Sequence, residues 1–372
     1  MAAILDCFPM SQGTSADPAF RRFVGALLVV TLLPVFTLPL LIGFDPAKAQ
    51  AISAAWLLHF VGGPAHVAST AWFYADPVPH AYFAAHRTRY YLAPAALVVA
   101  TLALTWAWPG VGIAYVGALY SLWLFWHYQK QNWGIVSISS RVACREPASR
   151  EELVALQLAP VAGWLACVGA VPFTAGTPIY EHREALRQIG VGLYALVPVV
   201  LALAFWRRPA LRRATPRLLF VALASAFFLP AFFLRGYAAF GGFALAHGLQ
   251  YHVFMNYVAR SASAGPATSI RSRPGLAVLV VAALGLGAVL VVGDSVAFLS
   301  RWNLMPFYAY AVALTMGTTM GHFVVDAGIW RLSDSFVRRY VGAAFPFLAA
   351  PGQAEPGRAP ALDSRVPSAT TR

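Results

Sequence analysis

Residues Val111–Ile135 read VGIAYVGALYSLWLFWHYQKQNWGI, with Lys130 as the sole formal charge and His127 about two-thirds of the way along. A helix rises ~1.5 Å per residue, so ~20 apolar residues cross the hydrocarbon of a bilayer. This stretch meets that requirement. Working outward from it, the same pattern predicts spans at Phe23–Ile42, Ala49–Phe73, Tyr91–Trp108 and Leu153–Phe173. Further spans are predicted at Val191–Trp206, Leu218–Leu234, Tyr237–Val258, Leu276–Phe298 and Met305–Trp330. The expected fold is therefore all-α, a polytopic transmembrane bundle of about ten helices. Prolines and glycines inside several spans fit this, because bundled membrane helices re-satisfy the freed backbone groups.

Composition points the same way. Of 372 residues, 59% are hydrophobic and 11% charged, and the mean hydropathy is +0.64. One soluble core cannot hide that much apolar surface. The net charge of +13 comes from arginines clustered between apolar runs. That is a topology signal, and it argues against a nucleic-acid partner. With the N-terminus inside, the predicted cytoplasmic segments up to Arg339 hold 18 Lys and Arg and the external ones 5. The bias holds loop by loop for an even number of spans with both termini cytoplasmic, as expected of a multi-pass inner (plasma) membrane protein. The chain divides into a cytoplasmic segment 1–22, a helical domain 23–334 and a cytoplasmic tail 335–372, the tail Pro/Ala/Ser-rich and expected to be disordered after 350. Asp76–Arg89, polar and aromatic, is expected along the cytoplasmic interface. Met1–Phe20 lacks a basic, then apolar, then cleavable pattern, so no removable signal peptide is read there. Cys7, Cys144 and Cys167 show no CxxC spacing, which disfavours a disulfide framework or zinc ribbon.

Ionisable groups inside spans are costly and mark function. Here they are histidines: His59 and His66 in the second predicted span, His127 in the fourth, His247 and His252 in the eighth, and His322 in the tenth. All four spans run in one direction. His66, His127, His252 and His322 lie seven to nine residues before the predicted cytoplasmic ends, roughly 10–14 Å above the boundary. They are the expected metal ligands. Asp326 follows His322 by one turn, placed to ligate or to orient the imidazole. His59, one heptad before His66, and His247, one turn deeper, are secondary cofactor-binding candidates. His247 and His252 sit ~140° apart around their helix, a poor arrangement for one shared ion. Lys130 and Gln131 are expected to poise bound oxygen or water. Gln129, Asn132, Gln250, Tyr251 and Asn256 stand at the same level as possible supporting donors. Gly62-Gly63, Gly241-Gly242, Gly317 and Gly321 also admit a plain reading, close helix packing, and Lys130 one of snorkelling to the interface.

Imidazoles with one carboxylate suit iron, zinc or copper. No thiolate or methionine cluster supports Cu(I), and no HExxH supports a zinc protease. A non-haem iron centre suits a lipid-embedded site that meets oxygen and an apolar substrate. The alternatives are a b-type haem electron-transfer protein, with paired axial histidines, and a proton-coupled transporter, disfavoured by the lack of an inverted repeat.

The H-x3-D pair His322 and Asp326, with histidines at one depth in a polytopic chain, resembles the histidine-rich integral-membrane oxygenases, in particular the Brp/Blh-type carotenoid oxygenases. The early HGxxD-like motif of that family has no counterpart here, and the HxxxH and HxxHH boxes of fatty-acid desaturases are absent. The segments HYQKQNWG, HGLQYHVFMNY and GHFVVDAGIWR are also similar to those of uncharacterised bacterial membrane proteins. The resemblance implies an iron-dependent oxygenase or desaturase with a lipophilic substrate such as an isoprenoid, carotenoid or acyl chain. No flavin or nicotinamide fingerprint is present, so reductant is expected from an external electron donor.

Overall fold

The computed structural model describes residues 18–37, 61–108, 111–144, 147–170, 174, 176–209, 215–233, 237–262 and 307–348. The expected ninth span, Leu276–Phe298, and His59 lie outside them. The described chain is all-α, with no strand among the described residues. Three described helices are long and apolar enough to cross a membrane: Pro18–Phe36, Thr88–Ala107 and Arg183–Arg207.

Helix α1 (Pro18–Leu32) runs on through a π-turn, Leu33–Thr37. The second predicted span is broken where it is described. A π-turn with Pro64 (Val61–Ala65) leads into short α2 (His66–Ser69) and α3 (Ala71–Ala75). Proline removes a ladder donor and clashes with the preceding turn, so continuous α-helix fails there. Helix α4 (Pro77–Ala85) starts at Asp76, whose carboxylate accepts from the Val78 amide, with proline favoured at the first helical position. A π-turn (Thr88–Leu92) precedes α5 (Ala93–Ala107). Helix α6 (Val111–Cys144) is 34 residues long and runs nine residues past the predicted Ile135 boundary. Helix α7 (Arg150–Cys167) opens on a capping box, Ser149 with Glu152. After short α8 (Pro178–Glu181) come α9 (Arg183–Arg207) and α10 (Thr215–Ala226) with short α11 (Pro230–Phe233). Then follow α12 (Tyr237–Ala262), α13 (Tyr308–Ile329) and α14 (Ser335–Tyr340).

Two apolar cores stack along the bundle. One gathers Phe20, Phe23 and Leu27 of α1 with Phe254 and Met255 of α12 and Phe345 beyond α14. The other gathers Phe125 of α6, Phe227 and Phe228 near the end of α10, Phe243 of α12 and Phe323 of α13. Helix α13 packs on α5 through glycines. A Cβ on Gly317 would collide with Thr101 and with Val98 at 2.8 Å, and one on Gly321 would press on Pro94 at 3.0 Å. Close packing, the plain reading of these glycines, is their observed role. It turns the opposite face of α13, with His322 and Asp326, toward the bundle interior, where both are buried.

The first part of the tail, before the stretch expected to be disordered, is folded. Asp334 caps α14 by accepting from the Phe336 and Val337 amides. Although partial burial opposes ionisation, the Val337 amide, the Tyr82 hydroxyl and the Phe336 amide hold its carboxyl below the usual range. Phe345 and Phe347 then pack on Phe23, with ring centroids 5.7 and 5.1 Å away. Helix α4 is tied to α14 by Tyr82 donating to Asp334 at 3.0 Å and Tyr340 donating to Asp76 at 2.7 Å. Residues 335–348 therefore belong to the bundle. Arg217, one of the arginines counted above in the predicted cytoplasmic segments, is fully buried in α10 and paired with Glu152 of α7.

Candidate metal centre

Four imidazoles from four elements meet where the two cores join: His66 of α2, His127 of α6, His247 of α12 and His322 of α13. Each offers one ring nitrogen, and these four nitrogens all lie within 4.8 Å of one another. The rings form a closed circuit. Centroids are 4.7 Å apart for His66–His247, 4.8 Å for His247–His127, 5.4 Å for His127–His322 and 5.0 Å for His322–His66. Neighbouring rings stand edge-on, at 69–88° to one another. Phe323 stacks on His127 at 4.3 Å and Tyr128 leans on His247 at 4.5 Å, closing apolar walls around the group.

Local sequence explains how each ring arrives. Gly62 lets the broken second segment press onto α12: a Cβ there would meet the Ala244 carbonyl carbon and the Leu245 amide nitrogen at closer than contact distance. His66, one turn later, is thereby brought beside His247. His247 and Tyr251 are four apart on α12, so they share a face. His252 stands well around the helix from His247, is only partly buried, and lies outside the four-imidazole group. The expectation that His252 ligates and His247 only assists is thus reversed in the geometry. Equal residue counts to an apolar boundary do not give equal depth when a segment breaks, as the second does.

The buried nitrogens are mostly unpartnered. Both ring nitrogens of His66 and of His247, and Nε2 of His127 and His322, have no hydrogen-bond partner. The Gly62 and Gly63 carbonyls approach His66 without hydrogen-bond geometry. Native interiors leave very few polar atoms so, and each costs about 1–3 kcal/mol. Six lie in one small volume, and with one ring nitrogen from each imidazole the group could hold a metal ion. Asp326 completes it: one carboxylate oxygen stands 3.5 Å from His322 Nε2 and 3.7 Å from His127 Nε2. Both are too long for hydrogen bonds. They suit ligands of a shared ion, because donors ~2.1 Å from one metal stand roughly 3.0–3.4 Å apart when adjacent. The 4.8 Å span of the imidazoles requires them to close in slightly on an ion.

Beside the imidazoles lies a fully satisfied set of amides. Gln131 donates to the His247 carbonyl at 3.0 Å and to Gln250 at 2.7 Å. Gln250 donates to Thr31 at 2.7 Å and Asn132 at 3.1 Å, Asn132 to Gln129 at 3.0 Å, and Gln129 to the Ala224 carbonyl at 3.0 Å. Gln131 therefore fixes the α12 backbone at His247; it is not aimed at the ring nitrogens. Lys130 is not in the site. It is exposed, with its ammonium 4.0 Å over the Trp133 ring and 5.2 Å from that of Trp126. The snorkelling reading of Lys130 accounts for this. Thr70, which bonds His322, escaped sequence reading; an i+4 spacing from His66 is the only signal it leaves.

Comparison of the chain with protein-family models, curated proteins and solved structures finds no match. The class of protein here is defined by fold and site alone: an all-α chain with membrane-competent helices and a buried four-histidine group.

Proposed function

We propose that the chain is an integral-membrane metalloenzyme, a non-haem iron oxidoreductase of the oxygenase or desaturase type acting on a lipophilic substrate. The observation that carries this reading is the convergence of His66, His127, His247 and His322 with Asp326 in one unsolvated volume. Imidazole with carboxylate is a donor set for iron, and thiolate is absent from it: buried Cys167 lies on α7, outside the group. When bound, iron supplies one-electron and oxygen chemistry; the chain positions the donors, excludes water and holds protons on Tyr251 and Thr70. The ten-span arrangement with both ends cytoplasmic rests on the arginine bias and on exposed apolar surface. Leu92 in the turn before α5, Val99 and Trp106 of α5, and Val199 and Trp206 of α9 are all more than 60% exposed, as lipid-facing residues would be. Trp206 beside Arg207 and Arg208 fits a helix end at the interface. The substrate, an isoprenoid, carotenoid or acyl chain, would enter from lipid, and electrons would come from a separate donor.

Haem is a poorer fit. Neighbouring rings stand edge-on with centroids 4.7–5.4 Å apart, which leaves no slot for a porphyrin between adjacent members of the circuit.

The test is metal analysis of purified full-length protein beside His127→Ala and His322→Ala, with an absorbance spectrum. Iron in the wild type, its loss from both variants and no Soret band support the reading. Equal metal in all three proteins would remove it.

A further inference from the structure

His322 is the one imidazole of the four whose second nitrogen is engaged. Its Nδ1 lies 2.8 Å from the Thr70 hydroxyl. The same hydroxyl lies 3.2 Å from the Tyr251 hydroxyl, which donates to Asp326 at 3.1 Å. All four side chains are buried, at 1–5% exposure. With Asp326 ionised, as a metal ligand would be, the single proton on each hydroxyl sets every direction in the chain. The Tyr251 proton goes to the Asp326 carboxylate, which can only accept when ionised. Tyr251 oxygen must then accept from Thr70. Thr70, its proton spent, must accept from His322 Nδ1–H. One tautomer of His322 satisfies all three contacts: the proton on Nδ1, and a bare lone pair on Nε2. That Nε2 is the unpartnered atom facing the other imidazoles and Asp326.

We infer that Thr70 and Tyr251 are positioning residues which lock His322 in the Nδ1–H tautomer and, through one continuous hydrogen-bond chain, hold both metal-binding groups of α13 in place. This rests on the metal-centre reading above and adds residues to it. Orienting partners of this kind raise ligand basicity, and losing one costs about 10- to 100-fold in metal affinity. The arrangement also couples three elements. Thr70 follows α2, Tyr251 stands on α12, and His322 with Asp326 on α13, so the chain sets the distance between His66, His247 and His322 as well as a proton position.

Co(II) added to the metal-free, full-length protein in detergent is the probe, because its visible d–d bands report coordination number and its affinity can be titrated. Thr70→Val keeps shape and removes the hydroxyl; Tyr251→Phe keeps the ring, packed 5.7 Å from Trp330, and removes the terminal donor. Thr70→Ser restores the hydroxyl. The expected result is a wild-type cobalt spectrum, about 10- to 100-fold weaker binding with altered bands in Thr70→Val and Tyr251→Phe, and recovery of both readouts in Thr70→Ser. Wild-type affinity and bands in Thr70→Val and Tyr251→Phe overturn the inference and leave the metal centre standing. Weakened binding that Thr70→Ser fails to recover also overturns it, since the hydroxyl is then not what matters. No cobalt binding by the wild type removes the metal centre itself, and this inference with it.

Discussion

Two buried polar regions of this bundle obey opposite rules. Around Arg217 every strong donor has a home. Its Nε donates to Ser140 at 2.7 Å, an NH2 group donates to Glu152, and the other Glu152 oxygen accepts from the Ser149 amide at 2.8 Å. The amides of Gln131, Gln250, Asn132 and Gln129 are likewise paired. The histidine group, as deeply buried, keeps six ring nitrogens without partners. Saturated polar clusters hold helices in register; the unsaturated one here keeps donor atoms that, on the proposal above, a metal ion would take up. The distinction matters more than burial, which the two regions share.

Substitution should break the first region and relax the second. Arg217→Ala or Glu152→Ala strands a buried charge, and a loss of about 3–5 kcal/mol is expected, read as a collapse of thermal stability in detergent. The paired change Arg217→Met with Glu152→Leu should recover most of it; failure to recover would show that the pair does more than hold helices. At the metal centre the sign reverses. His247→Leu removes two orphaned nitrogens at similar volume, so the metal-free protein should match the wild type or gain about 1 kcal/mol, while metal content drops to background. A metal-free His247→Leu protein several degrees less stable would contradict the idea of an unsaturated site.

Smaller effects sharpen the boundary between the regions. Gln250→Leu leaves Gln131, Asn132 and Thr31 short of partners and should cost about 1–3 kcal/mol, with metal affinity reduced through the displaced His247 backbone; unchanged affinity would separate the amides from the site. Asp334→Ala removes the α14 cap, for about 1 kcal/mol at neutral pH. Because its folded carboxyl titrates below the usual range, the ionised cap contributes fully above about pH 4 and fades as acid protonates it. The difference between wild type and Asp334→Ala should therefore shrink in acid. Smallest of all, Lys130→Ala should cost about 0.5–1 kcal/mol of cation–π contact and leave bound metal untouched; metal loss there would return Lys130 to the site.

Much of the site was legible as residue type and little as orientation. The helical class followed from apolar run lengths, and three of the four grouped imidazoles were named as ligands, with Asp326 beside them. Counting residues to an apolar boundary ranks His247 second, because it lies about one turn deeper than the rest. That count ignored the break at Gly62 to Pro64, which brings His66 against α12 near His247. Lys130 read as functional because a charge inside an apolar run is costly, yet its stem places the ammonium over tryptophans at the exposed side. Glu152 left one local clue, the Ser149 capping-box spacing; its partner Arg217, 65 residues away, left none.

The sequence alone determined that the chain is helical, largely lipid-compatible, and equipped with imidazoles on a few helices at fixed spacing. Those properties depend on composition and on ~100° per residue within one helix, both local. Only the tertiary structure decided which imidazoles meet, which nitrogen of His322 is bare, and which polar groups are saturated. Those depend on how each helix is rotated against its neighbours. That rotation is set by contacts such as Gly62 on Ala244 and Gly317 on Val98, made between residues far apart in the chain.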